Sequence, residues 1–164
     1  MYEIPDAFSV MPSHLWWRTG ISHEAWGCNG ERMLQQKEDK SLGMTWLTTG
    51  RGSNPDKRPI ALFLHGFPDD PSTWTSQMNC FAGNYQVIAP HLGGLLKGKD
   101  KTYSLDRLCL RYLRLLNQLD PSKKRPIHIV AHDMGGVYGW ALAPLLGDRL
   151  CTYTVINSVA FSQF

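Results

Sequence analysis

The chain has 164 residues, 43% of them hydrophobic and 19% charged, with a net charge of +3 at pH 7. That is enough for one domain with a sizeable core, in the composition range of soluble globular proteins. The small net charge gives no strong electrostatic case for nucleic acid or a membrane surface, and no apolar run approaches the length of a membrane span. Cys28, Cys80, Cys109 and Cys151 are too scattered to suggest a zinc knuckle or a redox pair. With no apolar leader at the start, the expected setting is the reducing cytosol.

Met1–Gly30 holds Tyr2, Phe8, Trp16, Trp17 and Trp26 but little periodicity, and reads as an N-terminal extension. Glu31–Gln36 and Gly43–Thr48 are short strand candidates; Met44, Trp46 and Thr48 alternate with Thr45 and Leu47, which suits a hairpin at a sheet edge. Residues 50–59, rich in Gly, Ser, Asn and Pro, form a loop. Ile60–Leu64 is an unbroken apolar run, the mark of a strand buried on both faces. His65-Gly66-Phe67-Pro68 follows at its C-terminal end, where chemistry collects in α/β sheets. Ser72–Ala82 reads as a helix with Pro71 near its start, and Tyr85–Ala89 as the next strand.

Lys97, Lys99 and Lys101 make the following loop basic, which reads as a solvated surface. The clearest helix is Ser104–Leu119. Leu105, Leu108, Cys109, Tyr112, Leu116 and Leu119 fall on one face; Ser104 is the N-cap, Asp106 suits the positive end and Pro121 stops it. Arg107, Arg111 and Arg114 line the other face without interleaved aromatics, so they read as solvated rather than as a nucleic-acid stripe.

Ile127–Val130 is a β-branched strand. Ala131-His132-Asp133-Met134-Gly135-Gly136 turns sharply out of it, and Val137–Ala143 leaves as a helix that Pro144 would kink or end. Small residues flank an acid, as a tight strand–turn–helix needs when its central residue is strained. Tyr153–Ile156 is the last strand. With serine at the centre, this layout is the nucleophile elbow of the α/β-hydrolase fold. With Asp133 at the tip, it resembles the elbow of the epoxide hydrolase and haloalkane dehalogenase branch, whose nucleophile is an aspartate followed by x-Gly-Gly. The strand ending in His65-Gly66-Phe67-Pro68, with Trp74 six residues after the proline, resembles that branch's second motif. Both occur in the family's order, and the resemblance runs from about Glu31 to the end.

The resemblance implies a mostly parallel sheet with helices on both faces, with residues 31–164 forming the N-terminal part of the domain, before the lid and the last strands. Asp133 would attack an epoxide carbon or a carbon bearing a halide, giving an ester on the enzyme. The backbone N–H groups of Phe67 and Met134 would form an oxyanion hole for the ester's hydrolysis. His65, Gly66, Pro68 and Trp74 would line the substrate site. Haloalkane dehalogenases tend to carry asparagine where Phe67 stands, so the expectation favours epoxides; a dehalogenase-type hydrolase is the alternative. No cofactor is expected.

Within the family, a histidine after the last strand activates the water. All six histidines here precede Asp133, and Asn157-Ser158 stand where some relatives keep the acid. The chain alone is therefore expected to lack turnover, and at best to be alkylated once and stall. A metal site from His65, His91, His132 or Asp133 with Asp69 and Asp70 competes for the same residues, which the hydrolase motif already explains. The remaining alternative is a non-catalytic remnant that binds a partner through its unpaired sheet edge or the aromatic N-terminus, or self-associates through the uncovered edge.

Overall fold

The computed structural model of the chain describes residues 34–49, 57–92 and 105–159. In chain order these form β1 (Leu34–Asp39), β2 (Met44–Thr49), β3 (Ile60–Leu64), a 3₁₀ turn (Pro71–Trp74), α1 (Thr75–Phe81), β4 (Gln86–Pro90), α2 (Leu105–Leu119), β5 (Ile127–His132), α3 (Met134–Leu146), a second 3₁₀ turn (Gly147–Arg149) and β6 (Leu150–Ile156). The aromatic extension, the lysine loop and the Ser104 cap lie outside the described residues.

The six strands make one sheet in the order β1-β2-β4-β3-β5-β6. β1 and β2 pair antiparallel, as do β2 and β4; from β4 through β3 and β5 to β6 the pairing is parallel. The apolar run of β3 sits in the middle of this arrangement with every residue buried. One face is covered by α2 and α3, whose Leu108, Tyr112, Leu116 and Leu142 pack on Leu62, Leu64, Ile127 and Ile129. The other is covered by α1 and the turn before it, where Trp74 and Met78 meet Ala61, Phe63 and Val87. Helices therefore lie on both faces. Among the described residues no helix is long and apolar enough to cross a membrane.

Several boundaries differ from the sequence reading. The expected helix over Ser72–Ala82 divides, because Asp70 accepts the Ser72 N–H at 2.7 Å and winds Pro71–Trp74 into a 3₁₀ turn first. α3 begins at Met134 rather than Val137 and continues through Pro144 to Leu146. Tyr138 and Leu142 before the proline and Leu146 after it all pack on the core, and that burial outweighs one missing helix bond. In α2, Leu115 is buried while Leu105 is 36% exposed, so the apolar face is rotated toward the later turns.

Candidate active site

The site forms where the ends of β3 and β5 meet. β5 hands the chain to α3 through Asp133, whose φ of 50° and ψ of −121° place a non-glycine residue in strained backbone. Such a turn needs room beside it. A Cβ on Gly135 would stand 2.3 Å from the Leu64 carbonyl oxygen, so the start of α3 can press on the end of β3 only with glycine there. A Cβ on Gly66 would lie 2.6 Å from the Asp133 Cβ. The two motifs, 67 residues apart, are thus in direct contact.

Asp133 presents its carboxylate to the loop after β3. The Phe67 N–H donates to Oδ1 at 2.9 Å. This bond first, and the Met134 N–H second, hold the Asp133 carboxyl below the ordinary carboxylate range, with a smaller contribution from nearby His132. Asp133 therefore stays an anion at neutral pH. The Phe67–Pro68 peptide is cis. The Phe67 and Met134 side chains are exposed, at 70% and 39%, beside the carboxylate. The sequence reading used only their N–H groups; their apolar side chains are a second feature of this surface, which aromatic and thioether character at positions 67 and 134 could have signalled.

His65 does something other than face a substrate. It is 2% exposed, and both ring nitrogens are taken by backbone. Leu92 N–H donates to Nε2 at 3.0 Å, so Nδ1 carries the proton and donates it to the Gly66 carbonyl at 2.8 Å. Burial pushes its pKa down, and it stays neutral. It ties the β3 loop to the β4 exit, with no polar atom left for a ligand. Trp74 is likewise buried, its ring centroid 5.5 Å from that of Phe63, beneath the loop rather than on it. Gly66 is buried against Asp133, while Pro68 is exposed at the rim. Of the residues expected to line a substrate site, Pro68 alone combines that position with exposure; His65, Gly66 and Trp74 build the loop that carries Phe67.

His132 Nδ1 lies 4.0 Å from Asp69 Oδ2, so the end of β5 and the β3 loop meet where the sequence had grouped these two residues. His65 and His91 meet edge to face, with centroids 5.7 Å apart. Among the described residues no group of three or more His, Cys, Asp or Glu side chains is arranged to hold a metal ion.

A mostly parallel sheet flanked by helices, carrying a strained residue between strand and helix beside a second strand-end loop, defines the α/β-hydrolase class. Residues 61–162 match the Alpha/beta hydrolase family, and the chain belongs to it. Within the family it is epoxide hydrolase-like. It is 26% identical to Epoxide hydrolase 3 of Xenopus tropicalis over 98% of this chain and 45% of that one. It is 36% identical to an epoxide hydrolase of Caballeronia sordidicola over 56% of this chain and 28% of that one. The fold is shared with a crystal structure of an epoxide hydrolase from Bacillus megaterium at a TM-score of 0.59 and 24% identity, over 76% of this chain and 42% of that one. The chain thus spans less than half the length of these relatives.

Proposed function

We propose that this chain carries the nucleophile-bearing part of an epoxide hydrolase-like enzyme, with Asp133 as the nucleophile. The observation that carries the reading is the ionised Asp133 carboxylate at the tip of a strained turn, hydrogen-bonded by Phe67 N–H at 2.9 Å. A carboxylate oxygen attacks an epoxide carbon, the C–O bond of the ring breaks, and the resulting alkoxide takes a proton from water. The product is a hydroxyalkyl ester of Asp133. Water attack on its carbonyl carbon would then form a tetrahedral oxyanion. Phe67 and Met134 N–H groups already directed at the carboxylate would stabilise the charge that builds there, and collapse would release a diol. The exposed side chains of Phe67, Pro68 and Met134 suit an apolar substituent on the epoxide; an organohalide would react by the same displacement.

The second step needs a base. His65 is neutral and fully occupied by backbone, and His128 shares a hydrogen bond with Thr152 Oγ1 at 2.9 Å. Among the described residues, the carboxylate nearest His132 is that of Asp69, at 4.0 Å, beyond hydrogen-bond distance. In this reading the 164-residue chain forms the ester and stops there. Incubation with styrene oxide tests it, with intact-mass detection of the adduct and chromatographic detection of the diol. A single adduct, missing from Asp133→Asn, supports the reading. Absence of an adduct refutes it, and steady diol release refutes the stalled second step.

A partner-binding or self-associating role is the second reading, favoured by the sheet's unequal edges. β1 is edged with Gln35, Gln36, Lys37 and Glu38, whereas β6 bears no charge and leaves Thr154 and Ile156 exposed.

A further inference from the structure

Two residues, one within β6 and one just past its end, face the elbow from behind and belong to neither motif. Ser158 Oγ donates to the Asp133 carbonyl oxygen at 2.6 Å. Tyr153 Oη donates to the Gly136 carbonyl in the first turn of α3. We infer that Ser158 is a positioning residue for the Met134 N–H, fixing one of the two donors at the Asp133 carboxylate, with Tyr153 as its support.

The link is the planarity of the peptide bond. The carbonyl that Ser158 holds and the Met134 N–H belong to the same rigid unit, Asp133–Met134, so fixing one end fixes the direction of the other. That unit follows a residue at φ 50°, a conformation that persists only where the surroundings over-determine it. Gly136 N–H donates to the same Asp133 carbonyl at 2.9 Å, and Asp133 N–H donates to the Ile156 carbonyl at 3.1 Å. The β6 exit therefore grips the elbow on both sides of Asp133. Asn157, with φ 47°, turns the chain after β6, directly before Ser158.

The glycines of α3 fit this purpose. A Cβ on Gly136 would stand 2.3 Å from Ser158 Oγ, and one on Gly139 would stand 2.5 Å from Tyr153 Oη. Gly136 thus makes room for a side chain from β6's exit rather than for β3. The Tyr153 ring packs edge-on against Trp140, with centroids 5.2 Å apart, and burial pushes its pKa up to about 12, so it remains a hydroxyl donor.

This inference rests on the reading of Asp133 as nucleophile, and its test separates the two. The full chain is compared as parent, Ser158→Ala, Ser158→Thr and Tyr153→Phe. Amide spectra of ¹⁵N-labelled protein report the Met134 and Phe67 donors directly. Hydroxylamine cleavage of the styrene oxide adduct reports oxyanion stabilisation: its nitrogen attacks the ester carbonyl, the diol leaves, and a hydroxamate remains on Asp133. The expected result for Ser158→Ala is an upfield shift of the Met134 amide proton with Phe67 little changed, and adduct cleavage slowed about tenfold. Ser158→Thr should restore both, and Tyr153→Phe should give the same shift in smaller measure. A general loosening of the loop would instead move both amides and would not be rescued by threonine. An unchanged Met134 amide in Ser158→Ala overturns the inference. If the parent forms no adduct, the nucleophile reading fails, and the amide shifts alone decide the role of Ser158.

Discussion

His65 shows how a residue read as part of a substrate site can hold the backbone instead. Its neutral ring takes the Leu92 N–H and donates to the Gly66 carbonyl. A proton on Nε2 would face a donor and break that bridge. Its folded pKa lies below the ordinary 6.5 because of burial first, with His91 adding to the depression. The unfolded chain therefore binds the proton more readily than the folded one. Its contribution to stability is complete above about pH 6.5 and is lost as the pH falls through the depressed folded value. Asp70 and Asp133, both held below the usual 3.8, act only at lower pH. The melting temperature should drop between pH 7.5 and 5.5, and less so in His65→Gln, as thermal denaturation at several pH values would show. The sequence made Asp133 and the two glycines after it legible, because a tight strand-to-helix turn restricts residue types. It could not reveal Ser158, since a serine after a strand is common and its partner is a carbonyl 25 positions away.

At the scale of elements, the central strands were readable because burial on both faces demands unbroken apolar runs. β3 and β5 fall where Ile60–Leu64 and Ile127–Val130 were expected, with β5 extending to His132. Helix ends were less legible. Pro144 suggested a stop, but core contacts carry α3 through it. α2 contributes the largest fully buried side chain, Tyr112, whose hydroxyl has no hydrogen-bond partner among the described residues. A buried donor left unpaired costs more than a phenyl ring of the same shape. Tyr112→Phe should therefore stabilise the protein by about 1 kcal/mol, raising the melting temperature by about 3 °C in a calorimetric scan. An unchanged or lowered melting temperature would mean that the hydroxyl has found a partner.

Across the described residues, the sheet has two unlike edges. β1 carries the charge that keeps edges from pairing, whereas β6 is uncharged, follows β5 in parallel and leaves Ile156 43% exposed. Sedimentation velocity should show association that grows with concentration, and Thr154→Lys should weaken it without changing the fold. A monomer at every concentration would dismiss the edge as a contact surface. The alternation of Met44, Trp46 and Thr48 pointed to an edge hairpin and the apolar run Ile60–Leu64 to the interior of a parallel sheet, while the mostly parallel sheet as a whole was implied by the family resemblance. Sequence order could not say how the strands interleave, because β4 lies between β2 and β3 only through long-range pairing.

Asp133, proposed as the nucleophile, has a natural competitor in Cys151, an exposed free thiol. Tandem mass spectrometry of the chain after styrene oxide treatment locates the new bond directly. The expected result is one adduct on the peptide bearing Asp133, released by mild alkali as an ester must be, and missing from Asp133→Asn. An alkali-stable adduct on Cys151 or a histidine, with Asp133 unmodified, would contradict it.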